Sequence, residues 1–274
     1  MYFFRSTVLL VVGWISFYPI FGQNLTSSNA RSIGLAETNT VISDAWGVIN
    51  NPAGLSESNS GSQLLLSYHN RYSTYGIHDA ILGFALPLGR FTSGAALTFF
   101  GDELLNETKA SLLLADKIGL SQLGLRVNYH QLWVMNNGST HAFTIDLGGT
   151  FNITEELILG LVITNINQGK YNAENVNYVS TGMKVGMAYK PYAKLSLQMQ
   201  VDKDLYRPVD FRLGLEYQPH EVIVLRTGVS TLQPTASIGF GVLTKQLLLD
   251  FAGQYNSDLG FSLVTSLAFL LNKE

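Results

Sequence analysis

Apolar side chains recur at every second position from about residue 61 to the end of the chain. The pattern is clearest in 178–190, where alternate positions are large and mostly apolar: Val179, Thr181, Met183, Val185, Met187 and Tyr189. The positions between them are small or polar: Ser180, Gly182, Lys184, Gly186, Ala188 and Lys190. Because successive side chains of a strand point to opposite faces, this pattern predicts a strand with one apolar wall and one small or polar wall.

About 14 such segments follow one another. We expect strands at 62–71, 77–88, 91–101, 106–117, 121–134, 139–152, 156–167, 177–190, 193–203, 208–219, 221–230, 234–243, 245–255 and 258–271. Membrane-crossing strands need about 9–11 residues, and bacterial outer-membrane barrels have an even strand number with short turns at one end and longer loops at the other. The sequence therefore predicts an all-β fold, a transmembrane antiparallel β-barrel of about 14 strands. A secreted, soluble β-sandwich would also alternate and is the alternative.

The composition excludes several classes of protein. Charged residues make up only 14% of the chain, whereas soluble domains average about 25%. The formal net charge of -3 provides no basic stripe, so we expect no nucleic-acid partner. The chain has no cysteine, which excludes disulfides, thiolate metal sites and a lipid-modified N-terminal cysteine.

Residues 1–22 have the features of a secretory signal peptide. Arg5 is the basic residue, 7–21 is a mostly apolar run, and Gly22 is small enough for cleavage. A membrane anchor is the alternative, but it needs about 20 apolar residues. We divide the chain into a signal peptide (1–22), an N-terminal plug segment (23–60) and a barrel (61–274). We expect an integral protein of the bacterial outer membrane, in contact with its lipid.

The stretch from Asn29 to Glu57 is the one long part of the exported chain without a strand or hairpin pattern. We interpret it as a plug that folds into the lumen of the barrel. Asn51-Pro52 fits a turn, because the proline ring fixes φ and asparagine tolerates unusual backbone conformations. Gly54 would let the chain bend sharply before the first strand.

Alternation places seven charged residues on the polar wall: Arg126, Asp146, Lys184, Asp202, Arg212, Glu216 and Asp250. At the midplane of a membrane, an arginine or lysine that faces lipid costs about 2–4 kcal/mol. We therefore expect these side chains to face the lumen. There they can pair with one another, or hold the plug through Arg31, Glu37 or Asp44.

No catalytic or metal-binding constellation stands out. The histidines show no HExxH or paired metal spacing, and we expect them to be solvated surface residues: His69, His78, His130, His141 and His220. The serines lack a GxSxG setting, and there is no GxxxxGK[ST] phosphate loop. We expect no enzymatic activity, no cofactor and no metal.

Three segments of the plug resemble the N-terminal signature of the FadL superfamily. They are NARSIGL (29–35), SDAW (43–46) and NNPAGL (50–55), and they most resemble the PorV/PorQ-like branch of Bacteroidetes. The matching signature positions are Arg31, Gly34, Asp44, Asn51, Pro52, Ala53 and Gly54. The resemblance implies a 14-strand barrel with its N-terminal segment inside. The chain departs from FadL-type fatty-acid transporters in its short outer loops, of which the longest, about 165–177, is polar.

Two functional hypotheses follow. The first is an accessory subunit of a larger outer-membrane export or assembly machine, as the PorV-like resemblance to type IX secretion implies, with another outer-membrane protein or a surface lipoprotein as partner. The alternative is FadL-like passive uptake of a hydrophobic small molecule. Apolar inward positions such as Leu65, Ile158 and Val162 would allow an apolar passage for that ligand.

Overall fold

The computed structural model describes residues 28–57, 61–73, 76–171 and 179–271. Within these ranges, fourteen antiparallel strands each pair with their sequence neighbours, and the last strand pairs with the first to close the barrel. The strands are β1 Gln63–Arg71, β2 Ile77–Leu88, β3 Phe91–Gly101, β4 Leu105–Ile118, β5 Ser121–Val134, β6 Gly138–Asn152, β7 Leu157–Thr164, β8 Gly182–Tyr192, β9 Leu195–Asp204, β10 Asp210–His220, β11 Ile223–Ser230, β12 Thr235–Leu243, β13 Leu247–Asn256 and β14 Gly260–Leu270. This architecture confirms the predicted all-β barrel of 14 strands.

Alternation along each strand separates the two faces of the wall. In β5, Leu123, Leu125 and Val127 are exposed on the outside, whereas Arg126 and Asn128 are buried inside. The same division runs around the barrel, so the outer surface is a band of large apolar side chains. Such a band suits contact with lipid, and pairing of the first strand with the last closes the sheet.

The two ends of the barrel differ in their connections. At one end, the turns are short, as at 89–90 and 119–120, where Gly89 (φ 60) and Gly119 (φ 62) adopt the left-handed conformation that two-residue hairpins need. We call this the turn end. The opposite end, which we call the loop end, carries the longer connections, including 165–181. In barrels of this type the short turns lie on the periplasmic side.

Two strands continue past their predicted ends through bulges at proline. The register of β8 and β9 shifts between Tyr189 and Tyr192, and that of β10 and β11 shifts between Tyr217 and His220. Pro191 lies in the first interval and Pro219 in the second. Because proline has no N–H to donate to the ladder, a strand accommodates it at a bulge.

The β7–β8 region departs most from the predicted boundaries. Strand β7 ends at Thr164 and β8 begins at Gly182, instead of 167 and 177. Asn165 turns the chain with a φ of 54, and its side-chain Nδ2 donates to the carbonyls of Gly169 and Val179. These bonds satisfy backbone groups that strand pairing would otherwise satisfy, so the ladder stops there.

Among the described residues, helical structure occurs only in the segment before β1. It comprises α1 (Ala30–Gly34) and two 3-10 helices, Ala45–Val48 and Pro52–Glu57. No helix in the described part of the chain is long and apolar enough to span a bilayer. The predicted signal peptide, 1–22, lies outside the described residues.

Candidate functional site

The segment 28–57 lies inside the barrel, and we call it the plug. Helix α1 packs against β11 to β14, and the 3-10 helices pack against β1 to β6. Leu35, Trp46 and Leu55 are among the most deeply buried side chains of the protein, each no more than 1% exposed. The plug therefore contacts most of the wall and fills the barrel interior over the part of the barrel axis that it occupies.

Lumen-facing glycines make room for the plug. We call the following set the glycine ring: Gly94, Gly124, Gly148, Gly160, Gly186, Gly214, Gly228 and Gly239. A Cβ atom at Gly160 would lie 2.5 Å from the carbonyl oxygen of Thr40, and one at Gly228 would lie 2.5 Å from the carbonyl carbon of Leu35. Since real Cβ atoms essentially never approach other atoms so closely, the plug backbone fits only because these wall positions lack side chains.

The NNPAG sequence forms the turn that seats the plug against β5 and β6. Asn51 Nδ2 donates to the carbonyls of Thr40 (2.5 Å) and Gly149 (3.3 Å), and Asn51 Oδ1 accepts from the backbone N–H of Ala53 at 3.0 Å. Pro52 begins the second 3-10 helix. A side chain at Gly54 would clash with the carbonyl of Ile42. Four of the seven signature residues, from Asn51 to Gly54, therefore lie together at one buried turn.

An ion cluster holds α1 on the turn-end side of the glycine ring. Arg31 forms a bidentate pair with Glu216 (2.9 and 2.7 Å) and a further bond to Asp44 (2.8 Å). Glu216 also accepts from Arg226 at 2.6 Å, and Arg226 reaches Asp250 at 2.6 Å. Burial alone would lower the pKa of Arg31, but Glu216 and Asp44 outweigh burial and raise it. Gly34, the other signature position of α1, packs against Gly239.

A second ion cluster lies on the loop-end side of the glycine ring. The Arg212 guanidinium pairs with Glu37, with Asp202 (3.2 Å) and with Asp210 (2.8 Å). Glu37 also accepts from Ser28 Oγ at 2.6 Å. Ala36 (φ 51) and Glu37 (φ 62) are both left-handed, a conformation that costs roughly 1–2 kcal/mol per non-glycine residue. The contacts with Arg212 hold this strained backbone turn at Ala36 and Glu37 in place.

Acidification is expected to weaken the attachment of the plug to the wall through Glu37. Burial would raise the pKa of Glu37, but Arg212 and Lys184 outweigh it and hold the pKa at about 2. Because the pKa is lower in the plugged state than in water, this stabilisation is complete above about pH 4.5 and is lost as the pH falls towards 2. Protease protection of the plug, measured from pH 6 to pH 2, should decline over that window. Glu37→Gln should remove this part of the pH dependence, and an unchanged profile would contradict the assignment.

Arg126 anchors the middle of the plug. Its Nη1 donates to the carbonyls of Val48 (3.2 Å) and Asn50 (3.0 Å), and its Nε donates to Asp146 at 3.0 Å. Asp146 also accepts from the N–H of Asn165 at 2.9 Å. Since Arg126 and Asp146 are both buried, this pair joins two strands, the plug and the start of the β7–β8 connection in one network.

The seven charged positions on the polar wall are all buried or half-buried inside the barrel. The structure brings Glu216 together with Asp250 through Arg226, Arg212 with Asp202, and Arg126 with Asp146. Lys184 lies opposite Asp202 in the β8–β9 ladder. Sequence reasoning missed Arg226, although it alternates with the exposed Leu225 and Thr227 and so occupies an inward position.

The expectation that all five histidines are solvated is wrong for His69 and His130. Both are buried against the inside of the wall near the loop end. His69 Nδ1 lies 3.0 Å from Asp79, and His130 Nδ1 lies 2.7 Å from Glu107. The period-two pattern could have shown this, because both residues fall on inward positions of their strands.

The described start of the β7–β8 connection folds towards the barrel interior. Tyr171 is buried against Leu132 and Ala142, and its ring meets the edge of His130 with centroids 6.4 Å apart. Burial, together with the nearby carboxylate of Glu107, raises the pKa of Tyr171. The described residues 165–171 therefore narrow the loop end of the barrel.

Together these features define a closed transmembrane-type barrel whose own N-terminal segment obstructs the lumen. The plug is held by hydrogen bonds, ion pairs and packing, and the chain has no cysteine that could tie it covalently. The described residues contain no group of side chains that could hold a metal ion.

Solved structures of channels share this fold. The Pseudomonas putida toluene transporter TodX matches with a TM-score of 0.69 and 12% identity, over 90% of this chain and 98% of that chain. The Ralstonia pickettii toluene transporter TbuX matches with a TM-score of 0.66 and 14% identity, over 91% and 100% of the two chains. A Pseudomonas aeruginosa FadL homologue matches with a TM-score of 0.64 and 12% identity, over 89% and 98%.

At these identities the likeness shows the fold, which is that of FadL-type channels. No protein-family model matches the chain. A comparison with curated proteins finds no significant match. The resemblance to the PorV/PorQ-like branch stays a prediction from the sequence.

Proposed function

We propose that the protein is a passive outer-membrane channel for small hydrophobic molecules, opened by movement of its plug. The observation that carries this proposal is the shared fold with the toluene transporters and the FadL homologue, which extends over about nine-tenths of the chain. Of the two functional hypotheses, the comparisons favour this one over the accessory role. The proposal assigns the protein no catalytic activity.

The distribution of side chains around the plug supports an apolar route. On the side of β1 to β4, the plug residues Val48 and Leu55 pack against the wall residues Leu65, Ile81 and Leu113. The ion clusters lie on the opposite side, on β8 to β13. A plug that stays attached through its ion pairs and swings away from β1 to β4 would uncover an apolar wall, which favours a hydrophobic solute over a polar one.

A disulfide between plug and wall tests whether plug movement is needed. A Cβ atom at Gly83, on the inner face of β2, would lie 3.2 Å from Val48 Cγ2, a position that the sulfur of a cysteine at 48 can take, so the two sites suit a disulfide. Since the chain has no cysteine, Val48→Cys combined with Gly83→Cys gives a single pair, on the side of the wall from which the plug would swing. Uptake of radiolabelled toluene by cells that carry the oxidised double variant should fall to background and should return on reduction.

The single variants Val48→Cys and Gly83→Cys are the controls, because neither can form the intramolecular bond. Equal uptake by the oxidised and reduced double variant would contradict a moving plug. Background uptake by the parent protein, across a series of hydrophobic solutes, would contradict the channel itself.

The accessory role is the second candidate, and the filled interior is the observation that favours it. A barrel that stays plugged can serve as a docking partner without conducting anything. Purification in mild detergents separates the two roles: a channel is recovered alone, whereas an accessory subunit brings another outer-membrane protein or a surface lipoprotein in fixed stoichiometry.

A further inference from the structure

A groove crosses the outside of the barrel over β8 to β11. It has a volume of about 450 Å³ and is almost entirely apolar, within the roughly 300–1,000 Å³ range of ligand pockets. Its walls include Met187, Tyr189, Leu197, Met199, Leu215 and Thr227. These side chains are on the outer face, so the groove opens towards the membrane.

A short side chain at Thr227 creates the groove. In the ladder, Thr227 lies between Leu215 and Ile238, both large and exposed. Behind this part of the wall, Gly214 and Gly228 contribute no side chain. The Thr227 hydroxyl donates to the carbonyl of Ser237 at 3.0 Å, so the floor of the groove offers no free polar donor.

Two lysines lie just beyond the turn end of the groove. Lys190 follows Tyr189 directly, and Lys194 precedes Leu197 by three residues, which at about 3.3 Å per strand residue places both within about 10 Å of the groove. Both are exposed, and within the described residues no carboxylate is in ion-pair contact with either ammonium. Tyr192 is exposed in the same turn region, as suits a membrane interface.

We propose that this groove holds an acyl chain of an anionic phospholipid from the leaflet at the turn end, with the phosphate paired to Lys190 and Lys194. An apolar groove with two unpaired ammonium groups near its turn end matches the two parts of such a lipid, its hydrocarbon chain and its negative headgroup. A folded partner protein would need a broad surface, whereas the groove has a volume of only about 450 Å³ and faces hydrocarbon. The inference rests on the membrane location of the barrel and does not depend on transport.

Native mass spectrometry of the full-length protein, exchanged into nanodiscs of phosphatidylglycerol or phosphatidylcholine and released in mild detergent, tests the site. The parent protein should retain one phosphatidylglycerol and favour it about tenfold over phosphatidylcholine. Thr227→Leu fills the groove and should lower retention of either lipid about tenfold. Thr265→Leu, at an exposed threonine of β14, is the matched control and should retain lipid as the parent does.

Lys190→Gln combined with Lys194→Gln separates the headgroup from the chain. This variant should bind both lipids equally while keeping the one-to-one stoichiometry. Equal retention of the two lipids by the parent, or unchanged retention by Thr227→Leu, would overturn the proposal, as would a protein found in the groove. Heat-dependent gel migration confirms that each variant barrel is closed before it is compared.

Discussion

Gly228→Val is expected to expel the plug from the barrel while leaving the wall intact. A Cβ at this position would lie 2.5 Å from the Leu35 carbonyl carbon, 2.7 Å from the Ala36 nitrogen and 2.9 Å from Ala36 Cβ. These atoms belong to the plug backbone at Leu35 and Ala36. Ala36 already has a left-handed φ, and the backbone there cannot move without losing its contacts with Arg212. Overpacking a tight core costs roughly 1–3 kcal/mol, and rigid backbone neighbours place this case at the upper end or above it. The expected result is rapid proteolysis of the plug and a rise in single-channel conductance.

Gly149→Val is the matched control for this variant. Gly149 lies on β6 with its outer face towards Phe151, and an added Cβ there meets only ordinary contacts of 3.5 Å or more. The same residue change should leave both proteolysis and conductance as in the parent. A further variant lacking 29–54 should conduct strongly, and adding Gly228→Val to it should change nothing further. Normal protease protection of the plug in Gly228→Val would show that the glycine ring does not determine plug fit.

Arg126→Met is expected to lower the free energy of unfolding by roughly 3–5 kcal/mol, the usual cost of breaking a buried ion pair from one side. Arg126 is 4% exposed and Asp146 is 5% exposed, so the carboxylate left behind stays out of water. The carbonyls of Val48 and Asn50 lose their donor at the same time. Urea unfolding in lipid vesicles, with plug proteolysis in parallel, measures both consequences.

Three further variants define the origin of that loss. Arg90→Met breaks an exposed pair with Asp116 and should give no measurable change. Adding Asp146→Asn to Arg126→Met should recover part of the stability, because it removes the unpaired charge. Arg126→Lys should be intermediate, since an ammonium keeps the charge but cannot reproduce the planar fork. If Arg126→Met matched Arg90→Met, the pair would not stabilise the plugged state.

Strand positions were predictable because one rule, alternation, determines both the pattern and the wall. A lipid-facing position favours apolar side chains, so the membrane strands carry the period-two pattern. The predicted ends of β2, β3 and β5 coincide with the observed ones. The rule fails where side chains replace the ladder. Asn165 satisfies backbone groups through its side-chain amide. The alternation of apolar residues does not indicate that a single side chain will end β7.

The interior was predictable in part. Side chains alternate between the two faces of a strand, so the sequence position of a charged residue predicts its side of the wall. Asp250 could be placed in the lumen for this reason. Its partner could not be predicted, because the pairing of Asp250 with Arg226 spans two strands and depends on the stagger of the sheet. The path of the plug could not be predicted either, because the residues of the glycine ring are dispersed along the sequence and resemble other small residues there.

The contact between α1 and the final strands sets an order of assembly. The backbone N–H of Ala30 donates to Ser266 Oγ at 2.7 Å across 236 positions of sequence, and Ala30 and Ile33 pack against Val264. Contacts of such long range form late, because much of the chain must be ordered before they can stabilise anything. In a nascent barrel that has not yet added β14, α1 therefore lacks part of the surface against which it packs. Sealing of the lumen and completion of the sheet are therefore one event, and unfinished intermediates should leak.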